Sequence, residues 1–558
     1  MALVEIRSLN FTYPGAKKPA LTDVDLTIEE GEFVLIAGPS GCGKSTLLRR
    51  LKPAISPYGQ LSGGVFFGGE AVEALPERRQ AAEIGFVMQD PEMQLVTDKV
   101  WHELAFGLEN LGTDQRTMRI RVAEMANFFG IQDWYDKKVS ELSGGQKQLL
   151  CLAAVMVMQP RLLLLDEPTS QLDPIAAGEF FDTLERINTE LGTTIIVTEH
   201  RTEALFPIVD KVVLMREGRI FRCGDPRGCA ELYSTAPDFA AVLPTAMEIY
   251  AGTGGDAAST APLTVREGRA YLTARIGGAD TAVSDPVLPP EAAAAAKNEK
   301  QEPLAEMREV WFRYERDSDD ILKGMNLDIF SGELLCIMGG NGAGKTTAIM
   351  AASGLYRPYR GKVLLDGKPV AKLSESERSA AIGVLAQDPR LSFVHDSLRE
   401  ELNAVCRHYR LGAERLEEIA KLMELGEIMD RNPYDISGGE LQRAAIAKLL
   451  LPRPRVLFLD EATKGMDAFF KARFGALLRK LCAGGTAIVL VSHDIEFCAE
   501  YADRLAMFFD GGVIAEGTPR EVLAGNSFYT TAAGRIARGI IPGAVTAKEI
   551  VSAVNSLK

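Results

Sequence analysis

The chain has 558 residues, of which 46% are hydrophobic and 25% are charged. This length exceeds what one hydrophobic core supports, so we expect two or more globular domains. A formal charge of −14 argues against a surface built mainly for nucleic acid. No apolar run is long enough for a membrane helix and no leader opens the chain, which favours a cytoplasmic protein. Eight cysteines without a CxxC pair, and only five histidines, argue against a zinc site and favour reduced thiols.

The first elements in chain order are three predicted strands and a glycine-rich loop. Alternating residues predict strands over 3–13 and 21–28, and the apolar run 33–37 predicts a third. The sequence GPSGCGKST follows at 38–46 and has the spacing of a P-loop. A strand, loop and helix in this order direct backbone N–H groups and the positive end of a helix dipole at a polyphosphate. We therefore expect seven residues to bind nucleotide: Gly38, Ser40, Gly41, Gly43, Lys44, Ser45 and Thr46.

Within this loop two side chains have distinct predicted tasks. Lys44 would reach the terminal phosphates as a point charge, and the Ser45 hydroxyl would hold Mg²⁺. Farther along, the spacing predicts an amphipathic helix over 119–129 and a buried helix over 149–158. Short strands at 162–165 and 194–197 complete an alternation of strands and helices, which predicts a mostly parallel sheet covered on both faces.

Two carboxylates follow the strand at 162–165. Ligands collect at the carboxyl ends of strands in open α/β sheets. Asp166 is therefore a candidate to hold the Mg²⁺ hydration shell, and Glu167 a candidate general base that polarises the attacking water. The alternative is a pair of acids that merely caps a strand end.

The same pattern recurs in the second half of the chain, at nearly constant separations of about 293–301 residues. A repeat in unchanged order indicates a duplicated domain. After the apolar run 334–338 comes a second P-loop, and after the strand 456–459 come Asp460, a second Mg²⁺ candidate, and Glu461, a second candidate base. The candidate nucleotide-binding residues are Gly339, Asn341, Gly342, Gly344, Lys345, Thr346 and Thr347, with the Thr346 hydroxyl on Mg²⁺.

Composition divides the chain into four parts: a first domain at 1–239, a small appended element and linker at 240–303, a second domain at 304–526, and a helical extension at 527–558. Glycine and proline pairs and an alanine run at 292–296 mark the linker. Thr264 with Glu267, and Thr546 with Glu549, fit a capping box and predict a helix start in each appended part. Two unrelated surface helices are the alternative.

Both halves resemble ATP-binding cassette (ABC) ATPase domains, because LSGGQ at 142–146 and ISGGE at 436–440 match the signature of that family. The resemblance implies two tandem P-loop domains, each a mainly parallel sheet core with an antiparallel β part and a helical subdomain. It implies ATP and Mg²⁺ as cofactors. It also implies a head-to-tail pair within the chain, in which each signature completes the nucleotide site of the other half. The signature residues are Ser143, Gly144 and Gly145, and Ser437, Gly438 and Gly439.

Further roles follow from the resemblance residue by residue. Tyr13 and Tyr314 match the aromatic that stacks on adenine, Gln89 and Gln387 the glutamine that senses Mg²⁺ and the γ-phosphate, His200 and His493 the switch histidine, and Asp173 and Asp467 the aspartate of the loop that links the two sites. Alternatives are a structural role for the histidines and a core position for Tyr13.

The departures from the family pattern are Glu440 in place of glutamine, Arg201 where the other half has Asp494, and Ala462 in place of proline. None removes a catalytic group, so we expect two competent sites.

The residues after Gln89, at 90–98 and 101–110, resemble the corresponding stretch of energy-coupling factor (ECF) transporter ATPases. That resemblance implies a transmembrane T component and a substrate-binding S component as partners, a place on the inner face of the cell membrane, and uptake of a vitamin, vitamin precursor or metal ion. A solvated helical insert is the alternative. Two other classes stay open: a twin-ABC protein acting on ribosomes, which should carry a basic inter-domain helix, and a twin-cassette sugar importer.

Cys42 lies inside the first phosphate loop. If its thiol is accessible, alkylation should block ATP binding and ATP should protect it. A tolerated small residue is the alternative.

Overall fold

A computed structural model describes residues 2–255, 260–277, 302–526 and 529–557. The described residues form two compact units, Met1–Thr264 with Asp467–Phe469, and Val265–Met466 with Phe470–Lys558. The proline pair at 289–290 and the alanine run at 292–296 lie outside the described residues.

Unit one contains two sheets built from ten strands. The strands are β1 Ala2–Thr12, β2 Leu21–Glu29, β3 Phe33–Ala37, β4 Gln60–Phe67, β5 Glu70–Ala71, β6 Ile84–Val87, β7 Leu162–Asp166, β8 Thr194–Thr198, β9 Lys211–Arg216 and β10 Arg219–Gly224. One sheet is antiparallel, in the order β2-β1-β4-β5. The other has the order β10-β9-β3-β8-β7-β6 and is parallel except for its edge strand β10.

Helices cover the parallel sheet of unit one and build a helical subdomain between β6 and β7. The α-helices are α1 Lys44–Arg50, α2 Glu77–Glu83, α3 Val100–Asn110, α4 Gln115–Phe128, α5 Gly144–Met156, α6 Pro174–Leu191, α7 Leu232–Thr235 and α8 Thr245–Gly252. Short 3₁₀ helices span Pro53–Ile55, Val72–Ala74, Pro91–Met93, Gln132–Trp134, Val139–Glu141, Arg227–Glu231 and Pro237–Val242.

Unit two repeats this plan. Its strands are β11 Ala305–Phe312, β12 Leu322–Ile329, β13 Leu334–Gly339, β14 Arg360–Leu365, β15 Lys368–Pro369, β16 Ile382–Leu385, β17 Val456–Asp460, β18 Ala487–Val491, β19 Arg504–Phe509 and β20 Gly512–Gly517. The antiparallel sheet has the order β12-β11-β14-β15 and the core sheet the order β16-β17-β18-β13-β19-β20, again with an antiparallel edge strand.

The remaining α-helices are α9 Val265–Ile276, α10 Lys345–Ala352, α11 Glu375–Ala381, α12 Leu398–His408, α13 Ala413–Leu422, α14 Gly438–Leu450, α15 Ala468–Ala483, α16 Ile495–Tyr501, α17 Pro519–Leu523, α18 Ala532–Ala537 and α19 Ala547–Ser556. They belong to unit two, except for the first two residues of α15, which belong to unit one. The 3₁₀ helices of unit two span Val370–Lys372, Pro389–Ser392 and Pro433–Asp435. Helix α9 packs against α18.

The predicted fold class is confirmed: each unit has a mainly parallel core sheet, a separate antiparallel sheet and a helical subdomain. The helix starts at the two appended parts are also confirmed, at Val265 and Ala547. The helices predicted over 119–129 and 149–158 begin earlier, because α4 starts after the cap Asp114 and α5 after the cap Ser143.

Strand order determines where the chemical residues lie. The P-loops follow β3 and β13, which are central strands of their core sheets. The acidic pairs lie at the ends of β7 and β17. The histidines lie just after β8, which runs between β3 and β7, and just after β18, which runs between β13 and β17. All of these strands are parallel, so the P-loop, the acidic pair and the histidine of each unit lie at the carboxyl ends of its core strands. Within the described residues, no helix is both long and apolar enough to cross a membrane.

Candidate nucleotide-binding sites

The first phosphate loop is shaped by glycine. Gly38 has φ +153°, and a Cβ at that position would lie 2.3 Å from the carbonyl oxygen of Met215, so only glycine fits. The Lys44 side chain is buried and folds back over the loop, where Nζ donates to the carbonyls of Gly38 at 2.9 Å and Pro39 at 3.2 Å. A buried ammonium group held by neutral carbonyls is a suitable site for an anion.

The second loop has the same geometry. A Cβ on Gly339, at φ +151°, would lie 2.4 Å from the carbonyl oxygen of Phe508. Nζ of the buried Lys345 donates to the carbonyls of Gly339 at 2.9 Å and Gly340 at 2.8 Å. Both halves therefore hold a lysine ready to exchange carbonyl partners for phosphate oxygens.

The carboxylates at the ends of β7 and β17 fit a magnesium site. Ser45 Oγ donates to Asp166 Oδ1 at 2.7 Å, which places one hydroxyl and one carboxylate side by side. In the second half, Asp460 is 1% exposed, and no hydrogen bond of ordinary geometry reaches either of its oxygens among the described residues. A buried carboxylate with open lone pairs fits a hard cation with oxygen ligands, as Mg²⁺ is.

Glu167 is joined to two other predicted site residues. Its Oε2 accepts a hydrogen bond from Gln89 Nε2 at 2.9 Å, and His200 Nε2 lies 2.8 Å from Oε1. Glu167 has φ +46°, a left-handed conformation that is uncommon for glutamate and is typical of functional sites. The structure therefore brings Gln89, Glu167 and His200 together, as their predicted roles require.

The same three positions are more loosely joined in the second half. Gln387 Nε2 lies 3.4 Å from Glu461 Oε2, and His493 Nε2 lies 3.3 Å from Glu461 Oε1 without hydrogen-bond geometry. Glu461 shares the left-handed backbone, with φ +50°. One additional group contacts this carboxylate: Lys464 Nζ lies 3.6 Å from Oε2.

The electrostatics differ between the members of each acidic pair. Burial raises the pKa of Asp166 and of Asp460, and a bound cation would oppose that shift. Burial would also raise the pKa of Glu167, but the His200 imidazole and the Lys44 charge outweigh it and lower that pKa. Chiefly the His493 imidazole lowers the pKa of Glu461. Each candidate base is therefore ionised at neutral pH.

The predicted adenine-stacking tyrosines are tied to the helices that follow the phosphate loops. The hydroxyl of Tyr13 hydrogen-bonds Thr46 Oγ1 at 2.9 Å, and that of Tyr314 hydrogen-bonds Thr347 Oγ1 at 3.1 Å. Tyr13 is 38% exposed and Tyr314 is 59% exposed, so neither ring is a core residue. An exposed ring face beside a phosphate loop is available to a nucleobase.

The two signatures begin helices. Ser143 caps α5: its Oγ accepts the Gln146 N–H, and the Gln146 side chain accepts the Ser143 N–H at 2.9 Å. Ser437 caps α14 in the same way through Glu440, also at 2.9 Å. The change from glutamine to Glu440 therefore preserves the capping box, because both side chains offer the oxygen that the cap needs.

Several residues that hold the site together were not predicted from the sequence. Glu199 is 2% exposed and accepts hydrogen bonds from the N–H groups of Thr169 at 2.8 Å and His200 at 2.9 Å. Thr198 Oγ1 donates to Asp166 Oδ1 at 3.0 Å. Thr169 and Asp166 lie about 30 residues from these partners, so no local pattern could indicate those two contacts.

Two more buried carboxylates fix the segments 90–99 and 388–397, termed here the post-glutamine segments. Glu103 Oε2 accepts the N–H groups of Val96 at 3.2 Å and Thr97 at 2.8 Å. Glu401 Oε2 accepts those of Val394 at 2.9 Å and His395 at 3.1 Å. The only signal in the sequence is a glutamate in the first turn of a helix.

The accessibility that the Cys42 hypothesis requires is missing. Cys42 is 4% exposed, and burial raises the pKa of its thiol. All eight cysteines are free; Cys223 is exposed and the other seven are buried. Among the described residues, no cluster of His, Cys, Asp and Glu could hold a metal through three such side chains.

Comparison with known proteins determines the family. The profile described as "ABC transporter" matches residues 21–170 and again 322–464. Those two ranges contain both P-loops, both signatures and both acidic pairs. The chain belongs to the ABC transporter family. Its two domains are ABC ATPases, which bind and hydrolyse ATP.

Relatives in this family match nearly the whole chain. An ABC transporter ATP-binding protein of Bacillus cereus is 40% identical over 555 residues, covering 99% of this chain and 98% of its own length. One of Methanosarcina acetivorans is 35% identical over 536 residues, covering 93% and 86%. Among solved structures, cbiO1 from Clostridium perfringens, described as part of the ABC transporter complex cbiONQ, is 31% identical and covers 44% of this chain and 98% of its own, with a TM-score of 0.39.

Proposed function

We propose that this ABC ATPase powers an importer of the energy-coupling factor type, for a vitamin, a vitamin precursor or a metal ion. It would lie on the inner face of the cell membrane and drive a transmembrane T component and a substrate-binding S component. The observation that carries the proposal is a set of apolar side chains held outward on the post-glutamine segments of both halves. These are Met93 at 75% and Val96 at 63% exposed, and Leu391 and Val394 at 82% each.

These side chains are exposed on an ordered backbone. At the start of the first segment, the Gln94 side chain accepts the Met88 N–H at 2.8 Å and donates to the Phe86 carbonyl at 3.2 Å. At its end, Glu103 accepts the N–H groups of Val96 and Thr97. A rigid segment with outward apolar groups is typical of a protein-binding surface.

The second segment uses related contacts. Asp388 caps the 3₁₀ helix Pro389–Ser392 by accepting the Arg390 N–H at 3.0 Å. Glu401 then fixes the segment on the far side through the Val394 N–H, and Lys448 pairs with the same carboxylate. Because both halves present apolar groups in equivalent places, we propose that each binds a part of the membrane partner.

The site residues would act on ATP as follows. Lys44 and Lys345 exchange carbonyls for terminal phosphate oxygens. Ser45 with Asp166, and Thr346 with Asp460, would hold Mg²⁺, which offsets phosphate charge when bound. Glu167 and Glu461 accept a proton from the attacking water, and His200 and His493 hold those carboxylates in place.

The nucleotide contacts predicted for the signature serines Ser143 and Ser437 stay a proposal. Both serines are exposed, so Ser143→Arg and Ser437→Arg would place a bulky side chain where the nucleotide contact is proposed. Each should lower ATPase activity while the chain still folds, as circular dichroism would show. Full ATPase activity in either variant would exclude that contact.

Purification from membranes tests the proposed transport function. The tagged chain should retain polytopic membrane proteins, and the variant Met93→Glu with Val96→Glu should lose them while it keeps ATPase activity. Ile120→Glu is a matched control, since Ile120 is 50% exposed on α4, outside the segment. Equal retention by all three chains would contradict the proposed surface. Recovery of ribosomes instead of membrane proteins would favour a twin-ABC protein that acts on ribosomes. Uptake assays with sugars would test the other alternative, a twin-cassette sugar importer.

A further inference from the structure

The two candidate bases differ in one contact that the family pattern does not require. A turn follows each base: Lys464 N–H donates to the Glu461 carbonyl at 2.9 Å, and Ser170 N–H donates to the Glu167 carbonyl at 3.2 Å. The turns are equivalent, but their fourth residues are a lysine in one half and a serine in the other. We propose that Lys464 is a positioning residue that makes the second ATP site the slower of the two. This rests on the proposed role of Glu461.

Lys464 competes with the groups that orient Glu461. Its Nζ lies 3.6 Å from Oε2, the same oxygen that Gln387 Nε2 approaches at 3.4 Å. In the first half, Gln89 reaches the equivalent oxygen of Glu167 at 2.9 Å. The Ser170 hydroxyl, at the place of Lys464, is buried and has no hydrogen-bond partner among the described residues.

The competition extends to the histidine. His493 Nε2 is 3.3 Å from Glu461 Oε1, against 2.8 Å for His200 and Glu167. A carboxylate drawn toward an ammonium group is less well placed to accept a proton from water, since catalytic groups must be aligned within a fraction of an ångström. Lys464 is 35% exposed on its side chain and Glu461 is 18% exposed, so water reaches the pair and limits the strength of their attraction.

The consequence is a difference in rate and not in affinity. Lys464 acts on the carboxylate that would face the attacking water, while the candidate phosphate ligands Lys345 and Thr346 keep their places. Removal of the ammonium group should therefore raise kcat for ATP with little change in KM. A partly exposed ion pair is worth roughly a 1.5- to 5-fold effect.

Steady-state ATPase kinetics of the full chain test this inference. Lys464→Ser and Lys464→Met should both raise kcat at unchanged KM, by less than about 5-fold because the first site also contributes to the measured turnover. Lys464→Arg retains the positive charge, so its kcat should stay close to that of the wild type. Ser170→Lys, which places the same charge in the first half, should lower kcat by a similar factor. Lys421→Ser is the control, because Lys421 lies on α13 in the helical subdomain.

A fall or no change in kcat for both Lys464→Ser and Lys464→Met would overturn the inference, as would a change confined to KM. The membrane pull-down is independent of these rates, so failure of the transport proposal leaves the kinetic comparison intact. If the double variant Glu167→Gln with Glu461→Gln hydrolysed ATP like the wild type, the roles of both bases and this inference would be wrong together.

Discussion

The buried carboxylate of Glu401 accepts the backbone N–H of Val394, seven residues before it, at 2.9 Å. Glu103 makes the equivalent contact with Val96 in the first half. Each glutamate lies in the first turn of a helix and fixes the segment that presents apolar side chains. The two contacts connect the fold of the helical subdomain to the proposed partner surface.

Glu103→Gln should weaken binding of the membrane partner at the first post-glutamine segment without lowering ATPase activity at the nucleotide site. Glutamine keeps one acceptor oxygen but loses the charge that strengthens both hydrogen bonds to Oε2, so the local segment loses about 1–3 kcal/mol of stabilisation. We expect weaker retention of membrane proteins and slower uptake, with ATPase activity near that of the wild type. Glu109→Gln is the control, since Glu109 is exposed on the same helix α3. Retention of partners by both variants would show that the Glu103 contacts do not support docking.

Glu401 should also make the stability of the second domain depend on pH. The pKa of Glu401 is lowered from 4.5 to about 2; burial alone would raise it, but Lys448, the Val394 N–H and His395 outweigh burial. Because the pKa of this group is lower in the folded state, its ionised form stabilises the fold above pH 4.5. That stabilisation is lost as the pH falls toward 2. In urea unfolding at pH 7, the free energy of unfolding of the wild type should exceed that of Glu401→Gln. The difference between the two free energies should shrink below pH 4.5. A constant difference down to pH 3 would contradict the ion-pair account.

The tyrosine next to each phosphate loop should contribute to nucleotide affinity. Tyr13→Ala removes the ring that would stack on adenine and should raise KM for ATP about 10-fold, the equivalent of about 1.4 kcal/mol. Tyr13→Phe keeps the ring but loses the hydroxyl that holds it to Thr46, so about a 2-fold rise is expected. Tyr58→Ala is the control, since Tyr58 is 87% exposed. Equal KM values for all three variants would exclude base stacking by Tyr13.

Alkylation of cysteines should follow burial. Cys42 is 4% exposed and its pKa is raised by burial, so iodoacetamide at pH 7 should leave it unlabelled in the folded chain with or without ATP. Cys223 is exposed and should react first, although partial burial raises its pKa as well. Mass spectrometry of tryptic peptides would measure both. Rapid labelling of Cys42, prevented by ATP, would instead support a reactive thiol in the loop.

Local patterns predicted the elements that carry the chemistry. The apolar run 33–37 and the loop after it specify a strand, a turn and a helix N-terminus, and β3 and α1 follow that prediction closely. The acidic pairs were predictable because a buried strand ends where they begin. Signals of this kind lie within about ten residues of one another.

Contacts between distant residues were not predictable in this way. Thr198 approaches Asp166 only because β8 pairs with β7 in register, and no spacing in one sequence gives that register. The equivalent position in the second half is Val491, which has no hydroxyl to offer Asp460. This difference between the two sites thus depends on which side chains the strands bring together.

The central claim is that both halves hydrolyse ATP through Glu167 and Glu461. The most direct measurement is the steady-state ATPase rate of the full chain with Glu167→Gln, with Glu461→Gln and with both. Loss of a general base slows turnover by roughly 10²–10⁴, so each single variant should be markedly slower than wild type and the double variant nearly inactive. Full ATPase activity in either single variant would show that its site is dispensable and would contradict the claim.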